Sequence, residues 1–399
     1  MRGLLRNVIA SLRHPIGQNA VSLSWVQLAT FVIPLATLPY VSRVLGKEQF
    51  GLVVFAQGIA LVLGLVVDYG FEATAARDAA AARNDPGKLA TLVADVLTAR
   101  LILCALTLLA AAVALVAVPD MRDHPDLLGL AVVTALAQGL APGWFFIGIE
   151  RLRLISVVQL FTRLVAAGLT FPLVRDEGDA WVVLALLAAG TVASGAIATV
   201  MLYRIVDHAP LRLHAGLATL RRTAVAFVGI GVLSLYSSAN VVLLGLLSTT
   251  ATVAYFGAAD RLVRAALQVL SPIGVAVFPR LAFLLSARES ARARRLAWLS
   301  ISVLAGLGLV MGAALLVLAG PIVDLIFGSD FARTAPVLRV LCAIVPLIAI
   351  VSTLAGGWML AQRMEAAILR CAGRAAATNV LLAFVLVPSH GAVGMACAV

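Results

Sequence analysis

Residues 19–72 read NAVSLSWVQLATFVIPLATLPYVSRVLGKEQFGLVVFAQGIALVLGLVVDYGFE. Two apolar runs, each long enough to cross a bilayer as a helix, are joined by a short charged turn. Neither run is uniformly apolar. In the first, Asn19, Ser22, Gln27, Thr30, Pro34 and Thr37 recur at helical spacing and fall on one face; in the second, Gln57, Gly64, Asp68 and Glu72 do the same. A polar stripe on a membrane helix faces protein or water rather than lipid, as a transport cavity requires.

The composition extends this reading to the whole chain. Of 399 residues, 62% are hydrophobic and 12% charged, against about 25% charged in a soluble domain. Apolar segments of ~20 residues recur throughout, which implies an all-α integral membrane protein rather than a barrel of alternating strands. Spans are expected near 19–42, 50–71, 88–118, 127–148, 154–174, 180–203, 223–247, 252–279, 296–319, 335–360 and 366–388. Residues 1–17 carry Leu5, Val8, Ile9 and Leu12 on one face with arginines at its edge, an interfacial amphipathic helix in contact with membrane lipids. The basic connector 204–222 separates an N-terminal six-helix bundle, 18–203, from a C-terminal bundle, 223–399. After Pro388 only SHGAVGMACAV remains, too short for a twelfth span, so that span is expected to be truncated.

The net charge of +11 does not point to nucleic acid, because its placement follows the membrane. One set of loops carries Arg77, Arg83 and Lys88, then Arg151 and Arg153, then Arg204, Arg212, Arg221 and Arg222, then Arg288 to Arg295. The intervening loops carry Asp120, Asp123 and Asp126, or Asp176, Glu177 and Asp179, or Asp324 and Asp330. This asymmetry puts the basic loops and the N-terminus in the cytoplasm. Cys104, Cys342 and Cys371 lie in expected spans and Cys397 in the stretch after the last, all read as small packing residues, and the five histidines have no partner at metal or triad spacing. No phosphate-binding G-x-x-x-x-G-K motif occurs. Neither enzymatic activity nor a metal or other cofactor is expected.

The turns after spans 1 and 7 are weakly alike: each has a Leu-Gly pair (Leu45-Gly46, Leu244-Gly245) before it and a Phe-Gly pair (Phe50-Gly51, Phe256-Gly257) after it. Such likeness suggests repeats related by an axis along the membrane normal.

Four motifs carry a family resemblance: PYVSRVLGKEQFG at 39–51, DYGF at 68–71 followed by Arg77, PGWFFIGIER at 142–151, and YFGAADRL at 255–262 followed by Pro272 and Pro279. In order and spacing they resemble the polysaccharide (O-antigen type) flippases of the multidrug/oligosaccharidyl-lipid/polysaccharide exporter superfamily. The resemblance implies two six-helix bundles around a central cavity that opens alternately to either side of a bacterial inner membrane. It implies a cargo of oligosaccharide linked through pyrophosphate to a polyprenyl lipid, for surface polysaccharide synthesis, with a polysaccharide polymerase and chain-length machinery as partners downstream.

Arg100 and Arg163 lie about ten residues into spans 3 and 5, so ~15 Å deep. An arginine there costs at least ~2.5–3.5 kcal/mol to insert and needs water, an anion or a carboxylate. Either both guanidinium groups bind pyrophosphate in a cavity, or they pair with Asp68 or Asp95 and hold helices together. Gln27, Trp144 and Arg261 are further candidates for cargo contact, Trp144 alternatively serving as an interfacial anchor. Asp260 is set to pair with Arg264 at i,i+4. Asp68, Glu72 and Asp95 are candidates for a gate or for ion coupling, Asp68 and Glu72 pairing with Arg77 or Arg83 in the gate reading. Pro34, Pro39 and Pro272 are candidate hinges.

The rivals are a cation-coupled multidrug exporter of the same superfamily, which calls for acids where these arginines stand, and a membrane glycosyltransferase or polymerase, which calls for a large outer loop. A lipid II flippase is a sister reading. The orientation has a direct check: a topology reporter inserted at 285–295 should read as cytoplasmic, and an extracytoplasmic signal would reverse it.

Overall fold

The computed structural model describes residues 15–287, 289–360, 362 and 364–399, and these are helical almost throughout, with no β-strand among them. The expected amphipathic helix at 1–17 lies mostly outside the described residues. In chain order the helices are α1 (Pro15–Asp68), α2 (Phe71–Ala82), α3 (Pro86–Ala117), α4 (Pro119–Asp123), α5 (Pro125–Leu140), α6 (Gly143–Gly148), α7 (Leu152–Leu173) and α8 (Ala180–Tyr203). After the connector come α9 (Leu213–Ser238), α10 (Asn240–Leu247), α11 (Thr250–Ser286), α12 (Ser290–Phe327), α13 (Thr334–Leu341), α14 (Ile344–Val351) and α15 (Glu365–Ala398). Eight segments among the described residues are long and apolar enough to cross a membrane.

Several breaks differ from the sequence reading. Spans 1 and 2 are two helices, together labelled α1, that meet at Gly46 (φ 65°, ψ 176°), where the sequence places the turn between them. That left-handed value suits glycine; Pro39 lies within the first of the two helices. The side chains of Gln27, Pro34 and Pro272 lie outside the described ones. Span 4 breaks after Leu140, and span 10 splits into α13, α14 and a π-helical turn at Ser352–Met359. The presumed loop after span 2 is itself helical, α2. Asp85 then starts α3 by accepting a hydrogen bond from the Lys88 N–H (3.1 Å), which also holds its carboxyl below the usual carboxylate range. α15 kinks at Gly391, and the segment after it folds back so that Asn379 Nδ2 donates to the Ala398 carbonyl (3.0 Å). Cys104 and Cys342 are buried as expected, but Cys371 and Cys397 are exposed.

The core runs from the second part of α1 through α5, α8, α11 and α13. Its densest region is the seam where residues before the connector meet those after it. A Cβ at Gly51 would stand 2.0 Å from the Thr250 carbonyl oxygen, one at Gly245 2.4 Å from the Phe55 ring, and one at Gly257 2.5 Å from Val54. Three of the four glycines that make the two turns alike, Gly51, Gly245 and Gly257, are thus points of close approach, where a missing side chain lets helices touch; Gly46 serves the turn itself through its positive φ. A second cluster, with Phe71, Trp144, Phe145 and Phe146 at its centre, packs α2 and α6 beneath α3 and α8.

Overpacking of this kind costs about 1–3 kcal/mol. Gly51→Ala should therefore lower the thermal midpoint of the detergent-purified protein by several degrees. Gly306→Ala, where no atom lies within 4 Å of the added methyl, should hold or raise it. Equal midpoints for parent and Gly51→Ala would refute the seam.

Candidate functional site

The DYGF motif ends α1. Tyr69 (φ 50°) and Gly70 (φ 77°) are both left-handed, a conformation that costs energy at a tyrosine. The reversal leaves Asp68 beside Arg100 of α3: Arg100 Nη2 donates to Asp68 Oδ1 at 3.0 Å, and Nη1 to the Ala141 carbonyl at 2.9 Å. Ala141 follows the end of α5 with extended backbone (ψ 130°). The Arg100 guanidinium lies 5.7 Å from the centre of the Phe71 ring, and the residue is only 3% exposed. Its Nε has no hydrogen-bond partner among the described residues. Of the two roles open to Arg100, the geometry matches the pairing one: it ties spans 2, 3 and 4 together.

Arg163 stands in the opposite situation. It is exposed, midway along α7, and makes no ion pair or hydrogen bond among the described residues. At about 100° per residue, Ser156, Gln159 and Arg163 form one stripe, and the exposed apolar Phe161, Leu164 and Val165 lie roughly 100–160° around the helix from Arg163. Arg163 therefore points away from the face that meets lipid.

Arg261 lies at the seam. Its Nη2 donates to Gln57 Oε1 (2.6 Å), and the guanidinium sits 5.1 Å from the centre of the Phe50 ring. Phe50 in turn meets Phe331 edge-on, centroids 5.6 Å apart. Nearby, Thr250 Oγ1 donates to Glu48 Oε2 (3.0 Å), and Arg43 donates to the Leu325 carbonyl. The expected Asp260–Arg264 pair forms at 2.6 Å.

A second set of contacts, on other helices, joins α9 to α2 and α3. Arg222 faces Asp78 at 3.6 Å. Tyr69 stacks on Phe227, with centroids 4.1 Å apart and planes at 17°. Gly216 lies against Thr98, whose Cγ2 would be 2.7 Å from an added Cβ. A cleft of about 560 Å³ opens here, lined by Thr74, Arg77, Asp95, Arg222 and Thr223 among others. Asp95 is half-buried and Glu72 exposed.

The expected partners of Asp68 need correction: it pairs with Arg100, whereas Arg83 pairs with Glu150 (3.1 Å) and Arg77 faces the cleft. The reason is the reversal at Tyr69–Gly70, which turns α2 away from Asp68. Trp144 is 3% exposed, packed against Phe145, so its ring is neither an interfacial anchor nor offered to a sugar in this conformation. The Tyr69–Phe227 and Asp78–Arg222 contacts were not anticipated. Their only sequence signal is Tyr69 inside DYGF, since nothing local marks Phe227 or Arg222 as its neighbours. No group of His, Cys, Asp and Glu among the described residues is placed to hold a metal ion.

Comparison with known proteins agrees with the helical architecture. Two curated relatives are each described as "Putative O-antigen transporter". The one from Escherichia coli (strain K12) is 29% identical over 272 residues, 66% of this chain and 64% of that protein, so the match spans just under two thirds of its length. The one from Shigella dysenteriae is 29% identical over 388 residues, 95% of this chain and 94% of that protein. Among solved structures, the lipid II flippase MurJ in an inward closed conformation superposes with a TM-score of 0.65 at 14% identity, covering 94% of this chain and 84% of that one. An inward-facing multidrug resistance MATE family transporter of the MOP superfamily gives 0.62 at 18%, covering 93% and 90%. At these identities the structural likeness establishes the fold alone. The model of the family described as "Polysaccharide biosynthesis protein" matches residues 16–285, and this multi-pass membrane protein belongs to that family.

Proposed function

We propose that the chain is a flippase that carries polyprenyl-pyrophosphate-linked oligosaccharide from the cytoplasmic to the outer leaflet of a bacterial inner membrane, for surface polysaccharide synthesis. The observation that carries this reading is Arg163: a cation at hydrocarbon depth, exposed, turned from lipid and without an acidic partner among the described residues. Such a charge is tolerated only where water or an anion meets it. A pyrophosphate-linked lipid supplies that anion, whereas an exporter of cationic drugs calls for a carboxylate in the same place. The family relatives described as O-antigen transporters support the same cargo class.

In this reading the bundles 18–203 and 223–399, joined by 204–222, part alternately at their two ends. The Asp78–Arg222 pair is 38% and 64% exposed, and exposed pairs contribute ~0–1 kcal/mol, so it adds little to the cytoplasmic closure. Both ends have a glycine-mediated close approach, Gly216 on Thr98 at the cytoplasmic end and Gly51, Gly245 and Gly257 at the opposite one, where buried Phe50 and Phe331 add to the closure. Arg261 exchanges Gln57 for cargo phosphate when that seam parts. Asp68 and Arg100 set the geometry of the inner gate through Tyr69, beside Glu72 and Asp95. Cargo use by a polysaccharide polymerase and chain-length machinery, or an ion gradient, drives the cycle in one direction, without a cofactor.

The two arginines are expected to fail differently. Arg163→Ala should abolish surface polysaccharide while the protein stays in the membrane at parental level; full export at that level would sink the cargo role. Truncating one partner of a buried pair costs about 3–5 kcal/mol, so Arg100→Ala should lower the amount of folded protein, read by immunoblot and thermal unfolding. An Arg100→Ala protein with parental stability and no export would instead make Arg100 a direct cargo ligand.

A further inference from the structure

At its inner end α12 carries a stripe of exposed residues, Ala291, Arg294, Arg295, Trp298, Leu299 and Ser302, spaced at three, four, seven, eight and eleven residues and lining a groove of about 590 Å³. The opposite face of the same turns, Ala293, Ala297 and Ser300, is buried, with Ala293 and Ala297 packed against Leu281 and Leu284 of α11. The stripe is therefore the side turned outward from the protein.

Its charges are unbalanced. Arg292, Arg294 and Arg295 occupy the first turns of α12, the end at which the helix dipole disfavours cations. Glu289 neutralises Arg292 at 2.8 Å, but Arg294 and Arg295 make no ion pair or hydrogen bond among the described residues. The sequence has no further acid from Ser290 until Asp324. No acid of α12 near them offsets these two arginines, so the face is open to an external anion.

The depth of the groove identifies its source. Exposed large apolar side chains of α12 begin at Leu299 and continue through Leu309, Val310, Val317 and Leu325, a rise of ~39 Å at 1.5 Å per residue and so enough to traverse a ~30 Å hydrocarbon core. Trp298, 65% exposed, stands where that belt starts, the position an indole takes at a membrane interface. Arg294 and Arg295 sit one turn beyond it, at headgroup level.

We propose that this groove binds the headgroup of an anionic phospholipid of the cytoplasmic leaflet. Arg294 and Arg295 bond its phosphate oxygens, Trp298 marks the glycerol level, and the acyl chains run along Leu299 and the apolar belt above. The leaflet rests on the orientation given by the loop charges; the site itself is independent of the transported cargo.

The test is native mass spectrometry of the full chain released from nanodiscs of phosphatidylethanolamine with a minor fraction of phosphatidylglycerol. The parent should retain phosphatidylglycerol preferentially. The double variant Arg294→Gln/Arg295→Gln should lose about thirtyfold of that preference, from the contribution of two arginines near an anionic surface, with an unchanged thermal midpoint. Arg294→Lys/Arg295→Lys should keep most of the preference. Arg204→Gln/Arg212→Gln, which removes the same charge from the connector, should leave it intact. Unchanged retention in the Gln variant, an equal loss in the connector control, or displacement of the lipid by inorganic phosphate would each overturn the proposal. Transport is not read in this experiment, so the proposal stands or falls apart from the flippase reading.

Discussion

A guanidinium inside a bilayer must find its hydrogen-bond partners within the protein, and Arg100 finds them in two helix ends. One is Asp68, the last residue of α1; the other is the carbonyl of Ala141, just past α5. The Ala141 carbonyl is free to accept because α5 stops there, while the Asp68 carboxylate reaches the guanidinium from the end of α1. Neither break would be stable alone, since a chain interrupted in hydrocarbon exposes unsatisfied backbone groups. The arginine and the two breaks stabilise one another, and the local fold of the first half follows from that mutual requirement. Tyr69 can hold a left-handed backbone because the pair on one side and the aromatic cluster on the other fix it.

From that point the structure reaches across to the second half in two directions. Tyr69 leans on Phe227 at one end of the bundle, while Gly51, Gly245 and Gly257 bring backbone and side chain into direct contact at the other. Both closures include close packing, in which each ångström of separation forfeits many dispersion contacts at once: Gly216 lies against Thr98 at the first, beside the ring stack and a half-exposed ion pair, and three glycines do the same at the second.

The three deep arginines show how position changes one chemistry into three roles. Arg100 is enclosed and paired, Arg261 is shared between a glutamine and an aromatic face, and Arg163 is left open on a polar stripe. From the sequence the first and third are indistinguishable, both about ten residues into an apolar run. What separates them is whether a neighbouring helix ends at the right level. That is a long-range property, with Asp68 and Ala141 lying 32 and 41 residues from Arg100. The same limit hid the Asp78–Arg222 pair, which joins two helices with most of the first half of the chain between them.

The sequence alone determined the class of the molecule and its order along the chain. Apolar length, the side-to-side bias of Arg and Lys, and the four short motifs depend on residue type and spacing, and the bilayer converts those directly into helices and orientation. It also marked the glycines at 46, 51, 245 and 257 as turn signals; that is the role of Gly46, whereas the packing that makes the other three necessary exists only once the two halves are together. The tertiary structure decided which charges are satisfied and that Trp144 is enclosed. Each of these turns on a contact between residues far apart in the chain, and such contacts are set by the joint packing of many helices rather than by local pattern.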